Sequence, residues 1–421
     1  MRKITITGTK GKTTTTAVIS HVLRTLGHNV LKVDTNGHYV NGVQKSTLEE
    51  SRNIWGLVPT VCPGRYLWEF QTNPSLQENA VAVLESSLGS SALAGLGYRH
   101  HDVGVFLNVM EDHLGSSQRL KTRADIAKAK SFIFSRIAQN GYVVFNADDE
   151  LVIKTLDKVP AERAATRIPC GLHFERFPLA QHLKNGGIAL TIRDNNLLLL
   201  SQDKETILCN VAAVAWTFNA TFKPSLYNLL HVTGAIYGHY NGVLPAGFRK
   251  AIEASQLDPD SGRLHLMTAK NGTRVLVDYA HEKNSLAAVG RLAKSLAPEG
   301  SVIGVVRLAY DRTPELIQDT GRYIAPYFDS FVVYDKIDGY WGKAELLPGR
   351  RFNKVEGKVS QLFADAIAEK NSRVQRIVRE DEAIQAAANM ATPHDIVVVI
   401  ANEHIERSLG FVRQAFHLEH S

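Results

Sequence analysis

An α/β protein of two domains is what the chain predicts, and three observations carry that expectation. An alternating stretch at residues 3–7 reads as a buried strand. It leads into Gly8-Thr9-Lys10-Gly11-Lys12-Thr13-Thr14 and then into a helical run at residues 13–26, with Ala17, Val18, Val22 and Leu26 on one face. Past residue 258, strands at 274–277, 303–306, 331–333, 376–378 and 396–400 alternate with helical stretches, the pattern of a Rossmann-like sheet. Between the two series, Leu257-Asp258-Pro259-Asp260-Ser261-Gly262 is polar and turn-rich, which separates a domain of residues 1–258 from one of residues 259–421.

The first of these features has a chemistry. A helix start leaves backbone N–H groups without partners, and the helix dipole favours negative charge there, so strand, glycine turn and helix together make a phosphate site. Gly8, Thr9, Lys10, Gly11, Lys12, Thr13 and Thr14 would form its cradle, with Lys12 reaching the β- and γ-phosphates of a nucleotide and the Thr13 hydroxyl ligating Mg²⁺. The first glycine of the general G-x-x-x-x-G-K-[ST] loop would fall on Ile6, so this is a shorter form, G-T-x-G-K-T-T. A chance Gly-Lys-Thr is the plainer reading, and the flanking strand and helix weigh against it.

Composition narrows the rest. With 421 residues, 44% hydrophobic and 21% charged, the chain suits two or three ordinary globular domains. No apolar run approaches a membrane span, and residue 1 enters a strand almost at once, which leaves no room for a signal peptide. Cys62, Cys170 and Cys209 are widely spaced and in no CxxC pair, so neither disulfides nor zinc are expected, and a cytoplasmic location is. The net charge is 48 − 42 = +6. Without a Lys/Arg block interleaved with aromatics, this suits an acidic peptide or phosphorylated substrate rather than nucleic acid.

Along the chain, a strand at 29–33 ends in Asp34-Thr35-Asn36-Gly37-His38, polar residues at the ligand edge of an α/β sheet. Residues 44–79 lose periodicity and carry Trp55, Tyr66, Trp68 and Phe70, either as a substrate loop or as an excursion packed on its own domain. The strand at 80–84 ends in Glu85, placed to hold a phosphate-bridging Mg²⁺. The strand at 103–109 runs into Asn108-Val109-Met110-Glu111-Asp112-His113-Leu114, where the His113 imidazole can ligate a metal and the neighbouring carboxylate can orient it. A strand at 142–145 follows, then short strands with hairpin signals at Asn185-Gly186-Gly187 and Asp194-Asn195-Asn196.

These runs resemble the Mur ligase superfamily of ATP-dependent amide ligases, and within it the Mur-ligase-like half of the cyanophycin synthetases. Residues 8–16, Asp34-Thr35-Asn36-Gly37, Val83-Leu84-Glu85, the run from Asp102 to Gly115, and Asn146-Ala147-Asp148-Asp149 agree in order and spacing. The resemblance implies that Thr13, Glu85 and His113 hold metal. It further implies that Lys130, four residues before Phe134 in a helix at 125–137, is carbamylated and serves a second Mg²⁺. Asn228, in a helix at 224–240, would hydrogen-bond adenine. Arg263 of Gly262-Arg263 would meet phosphate, and Asp278 of Asp278-Tyr279-Ala280-His281 and Arg312 of Asp311-Arg312 would complete the ATP site. Four departures stand out: Ser87-Leu88-Gly89 in place of Arg-Gly-Gly, the enlarged 44–79 segment, Lys223-Pro224-Ser225 in place of a preceding His-Asn, and Glu282-Lys283 in place of Asn-Pro.

The expectation is therefore a P-loop ATPase (Mur ligase central) domain followed by a Rossmann-like C-terminal domain. Its cofactors are ATP and Mg²⁺, and it joins a small-molecule or peptide carboxylate to an amino acid through an acyl phosphate. No G-x-G-x-x-G accompanies the second set of strands, so no nicotinamide or flavin site is expected. A chain beginning at the phosphate loop lacks a UDP-binding domain and an ATP-grasp half, which disfavours peptidoglycan synthesis. A folylpolyglutamate or poly-γ-glutamate type of ligase, and a non-catalytic nucleotide-binding partner subunit, are the alternatives. Membrane association is not expected, and homo-oligomerisation stays open.

Overall fold

The computed structural model describes residues 1–90, 94–111, 120–257, 262–309, 312–335, 355–402 and 404–418. It divides into two compact units, Met1–Gln256 and Leu257–Ser421. The boundary expected at residue 258 lies outside the described residues.

In the first unit the elements are β1 (Arg2–Thr7), α1 (Lys12–Thr25), β2 (Asn29–Asp34), β3 (Gly37–Val40), β4 (Val43–Thr47), α2 (Leu48–Trp55), α3 (Trp68–Gln71), β5 (Ala80–Glu85) and β6 (His101–Phe106). There follow α4 (Arg123–Lys130), α5 (Phe132–Ser135), β7 (Ile137–Asn146), α6 (Glu150–Ile153), β8 (Thr166–Cys170), α7 (Leu179–Lys184), β9 (Ala189–Arg193), β10 (Asn196–Leu200), β11 (Glu205–Asn210), α8 (Lys223–His239) and α9 (Phe248–Glu253). Among the described residues the strands form one sheet in the order β11-β10-β9-β8-β7-β6-β1-β5-β2-β3-β4. Its centre is parallel, with β1 between β5 and β6, and both margins are antiparallel, through β9–β10–β11 on one side and β2–β3–β4 on the other. The short strands after residue 150 thus extend the main sheet.

Burial explains which elements show in the sequence. All six residues of β5 are buried, as expected of a parallel strand covered on both faces. Helix α8 is buried nearly all round and packs on α1, β6 and β7. Asp194 and Asn195, at φ 50° and 56°, make the two-residue hairpin turn between β9 and β10. Asn185-Gly186-Gly187, by contrast, closes α7 instead of a hairpin. Residues 44–79 are more ordered than their sequence suggests. They hold β4, α2 with a Thr47–Glu50 capping box, α3, and 3₁₀ turns at Pro63–Tyr66 and Pro74–Leu76. Of the aromatics, Tyr66 and Phe70 pack on their own domain, joining the core with Leu31, Val33 and Leu84. Trp55 and Trp68 stay 54% and 51% exposed.

The second unit contains β12 (His265–Thr268), β13 (Arg274–Asp278), α10 (Lys283–Leu296), β14 (Val302–Val306), α11 (Pro314–Ile324), β15 (Ser330–Val333), α12 (Lys358–Ala368), β16 (Val374–Arg376), α13 (Glu380–Met390), β17 (Ile396–Ile400) and α14 (Ile405–Ala415). Its described strands run β12-β13-β17-β14-β15-β16, parallel but for β12. The wholly buried β14 and β17 form its spine, and Ile384, Leu409 and Val412 from α13 and α14 cover one face. The edge strand β16 has no fully buried residue and begins two positions before its expected place, because its sequence has no apolar run to mark it. No helix among the described residues is long and apolar enough to cross a membrane.

One buried charge sits at the end of β14. Arg307 is 1% exposed, its Nε and Nη2 donate to the Ala401 carbonyl at 3.2 and 2.5 Å, and its guanidinium lies 4.9 Å from the Tyr279 ring centre. Arg307→Ala should destabilise the chain by about 3 kcal/mol, combining lost charge-assisted bonds with a cavity. Thermal unfolding of the full chain would show an earlier first transition. A melting curve like that of the wild type would contradict this account of the strand end.

Candidate active site

The phosphate loop joins β1 to α1 and is fixed from two sides. Gly11, the residue before α1, has φ 82°, a left-handed conformation that L side chains rarely adopt. A Cβ there would stand 2.3 Å from Asn228 Oδ1, so the glycine admits α8 to the loop. From the other side, Asn108 Oδ1 accepts from the Thr9 and Lys10 N–H groups at 3.2 and 2.9 Å, while its Nδ2 donates to Lys10 O at 3.1 Å. Met110 N–H donates to Thr9 Oγ1 at 3.0 Å. Helix α1 has no side-chain cap and no acidic residue in its first turn, where Thr13 and Thr14 stand, so the start of the helix keeps its positive end. Lys12 Nζ donates back to Thr9 O at 3.0 Å.

Beside the loop stands Glu85, the last residue of β5 and 1% exposed. The β1–β5 register sets Ile6 opposite Glu85. Thr13 Oγ1 donates to Glu85 Oε2 at 2.9 Å, and Thr35 Oγ1 donates to Oε1 at 3.0 Å. A hydroxyl that gives its proton to a carboxylate keeps its lone pairs for something else. This all-oxygen set fits Mg²⁺, which takes oxygen ligands and is commonly bound through one or two carboxylates plus substrate phosphates. Among the described residues no three His, Cys, Asp or Glu side chains converge on a metal position. His113 lies outside the described residues.

Lys130 ends α4 and is only 4% exposed, whereas Lys128 on the same helix faces solvent. The helix starts at a capping box between Thr122 and Asp125 and packs Ile126 and Ala127 against Phe106 and Val109. Arg123 Nη2 also donates to Val109 O at 2.6 Å, which ties α4 to the segment carrying Asn108. The expected single helix at 125–137 is two, broken between Lys130 and Phe132.

Asn146-Ala147-Asp148-Asp149 proves to be a clip. Asp148 accepts from Leu172 N–H at 2.6 Å, Phe174 N–H at 2.7 Å and the Tyr227 hydroxyl at 2.8 Å. Burial, helped by Asp148, raises the Tyr227 pKa, so the phenol stays a donor. Asp149 caps α6 through Oδ1 and accepts from Val109 N–H at 2.7 Å through Oδ2. Those bonds fix the loops on either side of the site.

In the second unit, Asp278 ends β13 and its Oδ2 accepts from Leu264 N–H at 3.0 Å, which holds the backbone next to Arg263. The Arg263 guanidinium lies 4.8 Å from the Tyr279 ring centre. Glu282, one of the departures from the family, caps α10 by accepting from Asn284 and Ser285 N–H at 2.9 and 2.5 Å. Arg312, 6% exposed, precedes Thr313, the cap of α11.

The structure thus brings Gly8 to Thr14, Glu85 and Asn228 together in the first unit, and Arg263 and Asp278 together in the second. Sequence reasoning assigned no part to Asn108 or to Thr35. Their partners are 98 and 50 residues away, so no local pattern marks them. The strand-end position of each, and its place in a run shared with the family, were the available signals.

Comparison with known proteins agrees with this anatomy. The Mur ligase middle domain matches residues 6–167, and the Mur ligase, glutamate ligase domain matches residues 262–402. The cyanophycin synthetase of Nostoc sp. is 27% identical over 418 residues, which is 97% of this chain and 42% of that protein. The chain therefore spans about two fifths of the length of this curated relative. Among solved structures, Escherichia coli FolC in complex with ADP aligns with a TM-score of 0.66 at 18% identity, covering 99% of this chain and 90% of that one. The bifunctional folylpolyglutamate synthase/dihydrofolate synthase of Yersinia pestis, complexed with AMPPNP and a Mn ion, gives 0.64 at 18% identity, covering 99% and 89%. Matched in its first unit by the one domain and in its second by the other, the chain belongs to the Mur ligase family.

Proposed function

We propose that the chain is an ATP-dependent amide ligase that activates a substrate carboxylate and couples it to the amine of an amino acid. The observation that carries this reading is the hydrogen bond from Thr13, at the start of α1, to the buried Glu85, because it supports a metal role for that carboxylate beside a phosphate cradle. A carboxylate oxygen of the acceptor attacks the γ-phosphorus, the bond to the β–γ bridging oxygen breaks, and ADP leaves. The amine nitrogen then attacks the acyl carbon, phosphate departs with the carbon–oxygen bond, and the amine loses a proton to give the amide. Lys12 and the N–H groups at the start of α1 would bear on the phosphates and Asn228 on the base, while Arg263, Asp278 and Arg312 are nucleotide ligands by resemblance to the family. Thr13, Glu85 and His113 would hold one Mg²⁺, and Lys130, if carbamylated, would hold a second. Bound there, Mg²⁺ draws charge from the transferring phosphoryl group. The chain's own contribution is positional and electrostatic.

A β- or γ-carboxylate compound fits the acceptor role, as either a preformed peptide or a small acidic metabolite. The net charge of +6 raises the local concentration of an anion, and added salt weakens that effect. The test is a matrix of acidic acceptors against amino acids, read by phosphate release and product mass at low and moderate salt. Phosphate release should depend on both partners. Product formed with folates alone would move the assignment to the folylpolyglutamate type. A blank matrix with ATP still bound would leave a nucleotide-binding partner subunit.

A further inference from the structure

We infer that Thr35 is a positioning residue for the metal carboxylate, and that it ties Glu85 to the segment of residues 44–79. The inference rests on the reading of Glu85 as a Mg²⁺ ligand and adds to it a residue that reading does not contain.

Glu85 is buried, and a buried carboxylate needs a donor at each oxygen to hold one orientation. The pairing is symmetrical: Thr13 Oγ1 serves Oε2 at 2.9 Å and Thr35 Oγ1 serves Oε1 at 3.0 Å. Thr13, in the first turn of α1, is itself a candidate metal ligand, so its hydroxyl is shared between Glu85 and the ion. Thr35 is the fixed reference, because the turn that carries it is built to stay in place. Asp34, 1% exposed, accepts from Asn36 N–H at 2.9 Å and pairs with Lys32 at 2.7 Å. Gly37 follows, where a Cβ would lie 2.0 Å from Ser46 O, so β3 and β4 meet backbone to backbone.

Three residues beyond Thr35, the buried His38 imidazole fastens the turn to the segment. Its Nδ1 is 2.5 Å from Ser46 Oγ, its Nε2 is 3.1 Å from Glu69 Oε1 on α3, and the ring stacks on Tyr66 at 4.4 Å between centres. The chain of contacts therefore runs from α3 through His38 and the Thr35 turn to Glu85.

Two effects of removing the Thr35 hydroxyl oppose each other. A carboxylate with one donor fewer is more basic, which tightens metal binding. The same carboxylate is also freer to rotate, which weakens binding to an ion that demands near-ideal octahedral geometry. Loss of the partner that orients a ligand ordinarily costs about 10–100-fold in metal affinity, so orientation outweighs basicity.

The experiment uses the full chain, a fluorescent ATP analogue and titration with MgCl₂, and needs no turnover. In Thr35→Val, which keeps the shape and loses the hydroxyl, the Mg²⁺ concentration for half-maximal tightening of nucleotide binding should rise about tenfold. Nucleotide affinity in EDTA should be unchanged, and Thr35→Ser should restore the wild-type midpoint. Glu85→Gln is the control and should abolish the Mg²⁺ effect. An unchanged midpoint in Thr35→Val beside a lost effect in Glu85→Gln overturns the inference and leaves the proposed function intact. No effect in either variant overturns the metal reading of Glu85 itself. An equal loss with Mg²⁺ and with EDTA would mean that Thr35 merely supports the fold. If Thr35→Val does not fold, Thr35→Ala is read by the same criteria.

Discussion

Lys12→Ala is expected to abolish ATP-dependent amide formation while leaving the fold standing. Among the described residues Lys12 Nζ donates to the Thr9 carbonyl of its own loop at 3.0 Å, and the side chain is only partly buried, so truncation opens no sealed cavity. What it removes is a fixed positive charge from the transferring phosphoryl group. That interaction strengthens as the reaction proceeds, and its loss costs about 4 kcal/mol, or about 10³-fold in kcat. Phosphate-release kinetics on a variant with the wild-type melting temperature will measure it. Undiminished turnover would remove the loop from the reaction.

The second large effect is expected at Lys130. With the side chain 4% exposed at the end of α4, Lys130→Ala deletes a buried group. Turnover should fall almost to nothing, and short carboxylic acids at high concentration should partly restore it by replacing the carbamate oxygens as metal ligands. Lys128→Ala, on the solvent face of the same helix, should be silent. Inactivity in Lys128→Ala together with full activity in Lys130→Ala would show that the carbamylated lysine had been placed half a turn out of register. Because a truncated buried lysine can unsettle a fold, rescue by added acid is the decisive reading, since a misfolded chain would not respond to it.

How far the sequence discloses this molecule depends on where the partners of each residue lie. Strands β5, β14 and β17 were legible because both of their faces are covered, which leaves an unbroken apolar run. The loop before α1 was legible because glycine, lysine and threonine act there within a few residues of one another. Residues 44–79 were not, because α2 buries Ser51 alone and the core residues Tyr66, Leu67 and Phe70 come from a 3₁₀ turn, the residue after it and a one-turn helix. Their burial therefore has no period to read. Asn108 and Thr35 were unreadable as functional residues for a related reason. Each reads as one polar residue among several at a strand end until the fold brings the loop or Glu85 to it. Asn228 is intermediate: resemblance to the family placed it on the right helix, but only the structure sets its amide against Gly11.

The central position of β1 also bears on how the chain is made. In order of synthesis β1 precedes both strands it pairs with, β5 and β6, whose first residues are Ala80 and His101, and its loop is framed by Asn108 and by Asn228 on α8. At about 5–20 residues per second, roughly ten to forty-five seconds of synthesis separate the loop from the helix that completes it. Through that interval the buried faces of β1 and α1 have no cover from the elements they pack against at the end. Within this fold β1 and its loop therefore wait long on the nascent chain, and depend on whatever shelters apolar segments there.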